Sequence, residues 1–205
     1  MSKLATEVVN RETLDIVRRM AALAEYQEPG IHHHLERIRG YCYVLARGLD
    51  FAVQDAEVIS YASMLHDIGE IGISDSLLMK AGKLTPYEME QIKRHPIIGA
   101  EILRGSQSMV LQMGETIALT HHERWDGSGY PYGIKGEAIP VPGRICSLAD
   151  IFDALTTRRP YKNEIPVSEA YQLILDNSGM LFDPALVQAF SENFDEITKI
   201  RQMNI

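Results

Sequence analysis

Apolar residues return at three- and four-residue spacing along almost the whole chain, and this constrains the fold more than any other feature. In residues 4–26, Leu14, Val17, Ala21 and Ala24 share one helical face, and Pro29-Gly30 ends the segment. Residues 34–49 repeat the pattern with Ile38, Tyr41, Cys42, Leu45 and Ala46. Residues 55–66 are mostly apolar all round, which predicts a central helix. Thr85-Pro86 offers a hydroxyl cap followed by proline at a first helical position, and so predicts a helix over 85–94. Further helices are expected over 96–103, 109–121 and 143–155, from Val167 onward, and from Pro184 through Phe190. Residues 68–74 read as a turn. Residues 125–142 hold four glycines and three prolines and read as a long loop of the kind that carries function. No segment alternates with the period of a strand, so the expected fold is all-α.

Charge narrows the partners. The net charge is -8 over 205 residues, against the basic surplus that a nucleic-acid polymer attracts. An anionic small molecule must then be met locally, by metal ions or a few placed cations. The two cysteines, Cys42 and Cys146, lie far apart and outside any CxxC pattern, which predicts two buried thiols and a cytoplasmic setting. No run approaches the ~18 apolar residues of a spanning helix, so no membrane partner is expected. The opening Met-Ser-Lys-Leu-Ala-Thr-Glu carries acid early and does not read as a signal peptide.

Seven histidines stand at positions 32, 33, 34, 66, 95, 121 and 122. His66-Asp67 follows the apolar run Tyr61-Ala62-Ser63-Met64-Leu65, and His121-His122 follows Ile117-Ala118-Leu119. Asp150 lies inside Leu148-Ala149-Asp150-Ile151-Phe152. A carboxylate at the end of a buried helix is costly unless a cation compensates it. Helical proteins build metal sites from several segments in this way. Imidazole and carboxylate donors without thiolate suit Mn, Fe, Ni, Co or Zn.

The runs HDIGEIGI at 66–73, KAGKLTPYEMEQIKRHPIIGAEIL at 80–103, HHERWDGSGYP at 121–131 and LADIFDALTTRRPYK at 148–162, continued by Phe182-Asp183-Pro184, closely resemble the HD-GYP domain over roughly residues 34–190. The resemblance implies an HD-superfamily helical bundle that hydrolyses cyclic di-GMP to pGpG or GMP through a metal-activated hydroxide. It implies two or three divalent ions, often iron or manganese, where the donor chemistry also admits nickel, cobalt or zinc. Carried over by position, it implies metal ligands at His34, His66, Asp67, His95, His121, His122 and Asp150. Asp67 would bridge the ions, and His66 and Asp67 form the catalytic core. Arg159 and Lys162 match the phosphate-binding cations, and Tyr130 matches the tyrosine of the signature loop.

Two positions depart from that pattern. Three-metal members carry glutamate four residues before the first ligand histidine, where this chain has Gly30, which points to two ions. Glu28, two residues further upstream, is the acid that could swing in instead. The family lysine of HD-x-G-K is here Glu70, read as a solvated side chain, an extra ligand or a group that repels substrate. The charge reversal gives a second reading, a weakly active or inactive module that binds a cyclic dinucleotide or a partner. A diguanylate cyclase docking at Gly129-Tyr130-Pro131 is one such partner. Residues 1–28 read as a linker helix, either packed on the domain or serving as a dimeric connector, with the HD-GYP domain over 29–205. Asp153, one turn after Asp150, reads as a candidate partner behind the ligands. Trp125 reads as an anchor for the long loop.

Overall fold

The computed structural model describes residues 11–26, 30–158 and 164–203. Eleven α-helices run through them: α1 (Arg11–Ala24), α2 (Ile31–Gly48), α3 (Val53–Ser63), α4 (Asp75–Leu78), α5 (Pro86–Ile92), α6 (His95–Leu103), α7 (Met109–Thr120), α8 (Val141–Thr156), α9 (Val167–Asp176), α10 (Pro184–Glu192) and α11 (Phe194–Met203). Among the described residues there is no strand, only an isolated bridge between Ser178 and Phe182. The all-α expectation therefore holds. No helix among them is long and apolar enough to cross a membrane.

The core forms where α2, α3, α7 and α8 pack together. Leu35, Ile38, Tyr41 and Leu45 of α2 meet Ile59 of α3, Ile117 of α7, and Ile145, Leu148 and Phe152 of α8, all essentially fully buried. Tyr41 and Phe190 contact Phe152 edge-on, with ring centroids 5.5 and 5.4 Å away. Both cysteines are free, buried thiols. Helix α1 turns Val17, Ala21 and Ala24 into the same core and leaves Ile16 and Leu23 exposed.

Helix α5 starts as its sequence dictates. The Thr85 hydroxyl accepts from the Glu88 amide, while the Glu88 carboxylate accepts from the Thr85 amide at 2.8 Å and from Lys80 Nζ at 2.6 Å. Helix α2 begins three residues earlier than expected, at Ile31. Its cap, Gly30, has φ +81°, a left-handed conformation that strains any residue with a side chain.

Helix α3 ends at Ser63, not His66. The backbone there tightens: Met64, Leu65 and His66 donate to the carbonyls three residues back, those of Tyr61, Ala62 and Ser63. A 3-10 turn over Ile68–Gly72 follows. Gly69 packs so closely on α6 that a Cβ there would stand 2.0 Å from the His95 carbonyl oxygen. The missing side chain is what lets the His66-Asp67 corner meet the start of α6. Two helices escaped the sequence reading: the one-turn α4, and α11, which follows α10 without a proline or glycine between them.

Candidate metal centre

Five segments meet at one end of the core. The first turn of α2 supplies His34, the corner after α3 supplies His66 and Asp67, and α6 opens with His95. The end of α7 supplies His121 and His122, and α8 supplies Asp150. Their donor atoms form two groups, each within 4.8 Å: Asp67, His95, His121 and His122 in one, and His34, His66 and Asp150 in the other. These are the seven residues singled out as ligand candidates in the sequence. Asp67 faces both groups. Its Oδ1 stands 3.1 Å from His95 Nε2 and 3.2 Å from His121 Nε2, and its Oδ2 stands 3.3 Å from His66 Nε2. His66 Nε2 is in turn 3.9 Å from Asp150 Oδ1.

The other ring nitrogens are engaged away from the centre. His66 Nδ1–H donates to the Ser63 carbonyl at 3.0 Å, His95 Nδ1–H to Ile92 at 2.8 Å, and His121 Nδ1–H to Ala118 at 3.0 Å. His34 Nδ1–H donates to Asp153 Oδ2 at 2.7 Å. This pattern leaves each of these Nε2 atoms facing inward, the orientation that a ligand histidine needs. The Nε2 atoms of His66, His95 and His121, and Asp67 Oδ1, are buried without hydrogen-bond partners. Ring nitrogens that converge beside a carboxylate fit a cation, and the donor set matches divalent transition metals.

The charges here are strongly coupled. Burial pushes His66 down, but the Asp67 carboxylate, with help from Glu25 and Asp150, outweighs it and holds the imidazolium well above its usual range. Burial would raise Asp67, but His66, His121 and His95 keep it ionised well below the usual carboxylate range. His122 lies well below its usual value because of burial and the neighbouring His121. It is therefore neutral, the form that ligates.

Asp153 takes the supporting place behind the ligands. It is 1% exposed and accepts from His34, from Arg37 Nε at 2.6 Å and from Arg37 Nη2 at 2.9 Å. The spacing from Asp150 hinted at Asp153, but nothing in the sequence marked Arg37 as its buried partner.

The signature loop is tied down from both sides. Buried Glu123 accepts from the Tyr132 amide at 2.8 Å, and the Tyr130 amide donates to the His122 carbonyl at 3.2 Å. The Tyr130 ring thereby stacks on His122, with centroids 4.5 Å apart and planes 24° from parallel. Burial, then the nearby Asp67 and Asp150, raise the Tyr130 hydroxyl far above its usual range, so it stays a donor. Trp125 anchors the loop. Its amide donates to Leu181, and the Arg144 guanidinium covers its ring at 5.3 Å while also pairing with Asp183 at 2.6 Å. Lys93, unnoticed in the sequence, holds its Nζ 5.6 Å from the Tyr130 ring centre at the rim of the site.

Glu70 stands in neither donor group. In the 3-10 turn, residues three apart share a side, so Glu70 follows Asp67, not His66 as a helical turn would have placed it. Half-buried, it bears electrostatically on His95 and Tyr130. His32 and His33 are exposed, as are Arg124 and Arg158. Arg159, Lys162 and Glu28 lie outside the described residues. Glu25 also stands in neither donor group, but it is 4% exposed, with Oε2 4.0 Å from His34 Nε2. Sequence reasoning passed over it, because an acid at the end of an amphipathic helix reads as solvated.

The chain belongs to the HD domain family, whose sequence model matches residues 18–186. Within that family it is of the HD-GYP type, as the quoted motifs led us to expect. It is 46% identical over 189 residues to a cyclic di-GMP phosphodiesterase of Thermotoga maritima, covering 92% of this chain and 50% of that protein. It is 45% identical over 190 residues to the cyclic di-GMP phosphodiesterase response regulator RpfG of Xanthomonas campestris pv. campestris, covering 93% and 50%. The chain thus spans about half the length of these relatives. The crystal structure of a cyclic GMP-AMP specific phosphodiesterase in V. cholerae matches with a TM-score of 0.63 at 22% identity, over 93% of this chain and 52% of that one. That likeness supports the helical HD fold.

Proposed function

We propose that this chain is the catalytic part of a metal-dependent phosphodiesterase that hydrolyses cyclic di-GMP to pGpG and/or GMP in bacterial signalling. The observation that carries the reading is the inward convergence of buried Nε2 atoms on the two sides of Asp67. The two cited relatives named as cyclic di-GMP phosphodiesterases support the substrate.

In this reading His95, His121, His122 and Asp67 would hold one ion, and His34, His66 and Asp150 would hold the other. When bound, two iron or manganese ions supply Lewis acidity and a nucleophile available near neutral pH. The protein's own groups do the rest. Asp153 and the backbone carbonyls keep the imidazoles of His34, His66, His95 and His121 in the ligating tautomer. The protonated Tyr130 hydroxyl donates to a substrate oxygen at the rim. Arg159 and Lys162 meet phosphate oxygens away from the ions, Arg159 as a bidentate partner. This local set answers the charge problem that a net -8 chain faces with an anionic substrate.

We place the linker at residues 1–28 and the HD-GYP domain at 29–205, although α1 buries one face in the core. The exposed Ile16 and Leu23 of α1 support a homodimer through that helix, which sedimentation would reveal. Tyr132, 62% exposed beside the loop, supports a docking surface for a diguanylate cyclase, and a pull-down with Tyr132→Ala tests it.

The test of the main reading is chromatography of cyclic di-GMP incubated with manganese-loaded wild type and Glu70→Lys. Linear products are expected from both. An intact substrate alongside bound metal would overturn the reading in favour of a binding module. Equal rates would show that Glu70 has no catalytic consequence.

A further inference from the structure

Lys93 is a cation beside the metal centre with no part in holding the ions. It caps the end of α5, two residues before His95, and its Nζ stands over the Tyr130 ring, 5.6 Å from the centre. That ring is stacked on His122 and meets His95 edge-on, with centroids 6.4 Å apart. Lys93 is thus held next to the donor group of Asp67, His95, His121 and His122. Its ammonium is turned to Glu90, at 2.8 Å, whose side chain is 66% exposed, so it faces outward at the rim. A surface pair of this kind is worth little, and an ammonium has three donors, so Lys93 is available to a stronger acceptor. Asp67, Asp150 and Glu70 bear on Tyr130 as negative charges, with Arg124 opposing them. An anion that arrives at this rim therefore needs a cation placed there, and Lys93 is one.

We infer that Lys93 holds the phosphate of the cyclic dinucleotide that is not being cut. The inference rests on the proposed function above and adds to it a residue to which the HD-GYP resemblance gave no role. A cyclic dinucleotide has two phosphodiesters, and the ions serve the one that is cut. The other must lie outside the donor groups. Lys93 meets it from the Tyr130 side as a point charge, the manner in which lysine binds phosphate. The flexible four-carbon stem lets the ammonium exchange Glu90 for the phosphate while the backbone stays in place. Lys93 thereby joins Arg159 and Lys162 as a third cation for the substrate.

The test is steady-state hydrolysis of cyclic di-GMP by the manganese-loaded chain in wild type, Lys93→Met and Lys93→Arg, with metal analysis and Tm on the same samples. Lys93→Met keeps an apolar stem and removes the charge. It should raise KM roughly tenfold with kcat little changed, while ion content and Tm stay those of wild type. Lys93→Arg should restore most of the lost affinity. The KM of wild type should also rise more steeply with salt than that of Lys93→Met. A lysine that only steadies the Tyr130 ring behaves otherwise. With Tyr130→Leu already in place, its loss costs nothing more, whereas loss of a direct phosphate contact raises KM again in that background. An unchanged KM in Lys93→Met, a loss confined to kcat, lost ion, or no further loss beside Tyr130→Leu would overturn the inference. If wild type binds cyclic di-GMP without cutting it, the Kd takes the place of KM in every comparison. Wild type that holds manganese but neither binds nor cuts cyclic di-GMP would defeat the proposed function, and this inference with it.

Discussion

Asp153→Asn separates the roles of one buried carboxylate. The side chain keeps its shape but loses its charge, and its amide nitrogen cannot accept. Three short contacts now end on Asp153: 2.7 Å from His34, and 2.6 and 2.9 Å from Arg37. Arg37 is 5% exposed, so its guanidinium loses that counter-charge in a place water hardly reaches. Removing one partner of such a buried pair costs about 3–5 kcal/mol. For a chain of this size that corresponds to roughly 6–20 °C in Tm. The second effect is on His34. The asparagine amide can donate to Nδ1, which moves the ring proton to Nε2 and blocks the ligand nitrogen. Metal affinity should therefore fall by roughly 10–100-fold. Urea unfolding in chelator measures the first effect and manganese titration the second. A variant within ~1 kcal/mol of wild type, with unchanged metal affinity, would refute the reasoning. Replacing both partners, as in Arg37→Met with Asp153→Leu, should recover much of the stability but none of the metal affinity, because an apolar pair of similar volume avoids the buried charge.

Two further outcomes are expected. Saturating manganese should raise the Tm of wild type, since ion at 100 times its Kd stabilises by about 2.7 kcal/mol; a Tm indifferent to manganese and to chelator would contradict the metal centre. Glu88 accepts from Lys80 and from Thr85, which hold its carboxyl down at about 2 against an ordinary 4.5, so its contribution is present above 4.5 and is lost as the pH falls through about 2. Glu88→Gln should lower the Tm at pH 6 and converge on wild type towards pH 2; an undiminished gap at pH 2 would contradict the capping role.

Much of the fold was legible because its signals are local. The Thr85-Pro86 start, the Pro184 start and the 3-4 spacing of α2 each specify a helix without help from the rest of the chain. Where α3 ends was not legible, because the change to three-residue hydrogen bonds after Ser63 depends on Gly69 packing against His95 across the core. That same change moved Glu70 to the side of Asp67. The site divides in the same way. His66, Asp67, His121, His122 and Asp150 were legible because they stand at the ends of apolar helices or inside them, whereas His34 and His95 were placed by the resemblance to the HD-GYP motifs alone. Glu25, Arg37 and Lys93 were not, because each reads locally as a solvated charge and only tertiary packing brings it to the centre. Trp125 fell between these cases: its place in a glycine-rich loop suggested an anchor, but Arg144 and Asp183, which hold it, come from α8 and the cap of α10.

The account stands most directly on the link between ion binding and hydrolysis. Manganese titrated into the metal-free chain, with bound ion and cyclic di-GMP turnover followed in the same samples, measures that link. We expect turnover to be absent without metal and to rise as the second ion binds. Turnover in chelated protein, full rate with a single ion, or two bound ions without hydrolysis would contradict it.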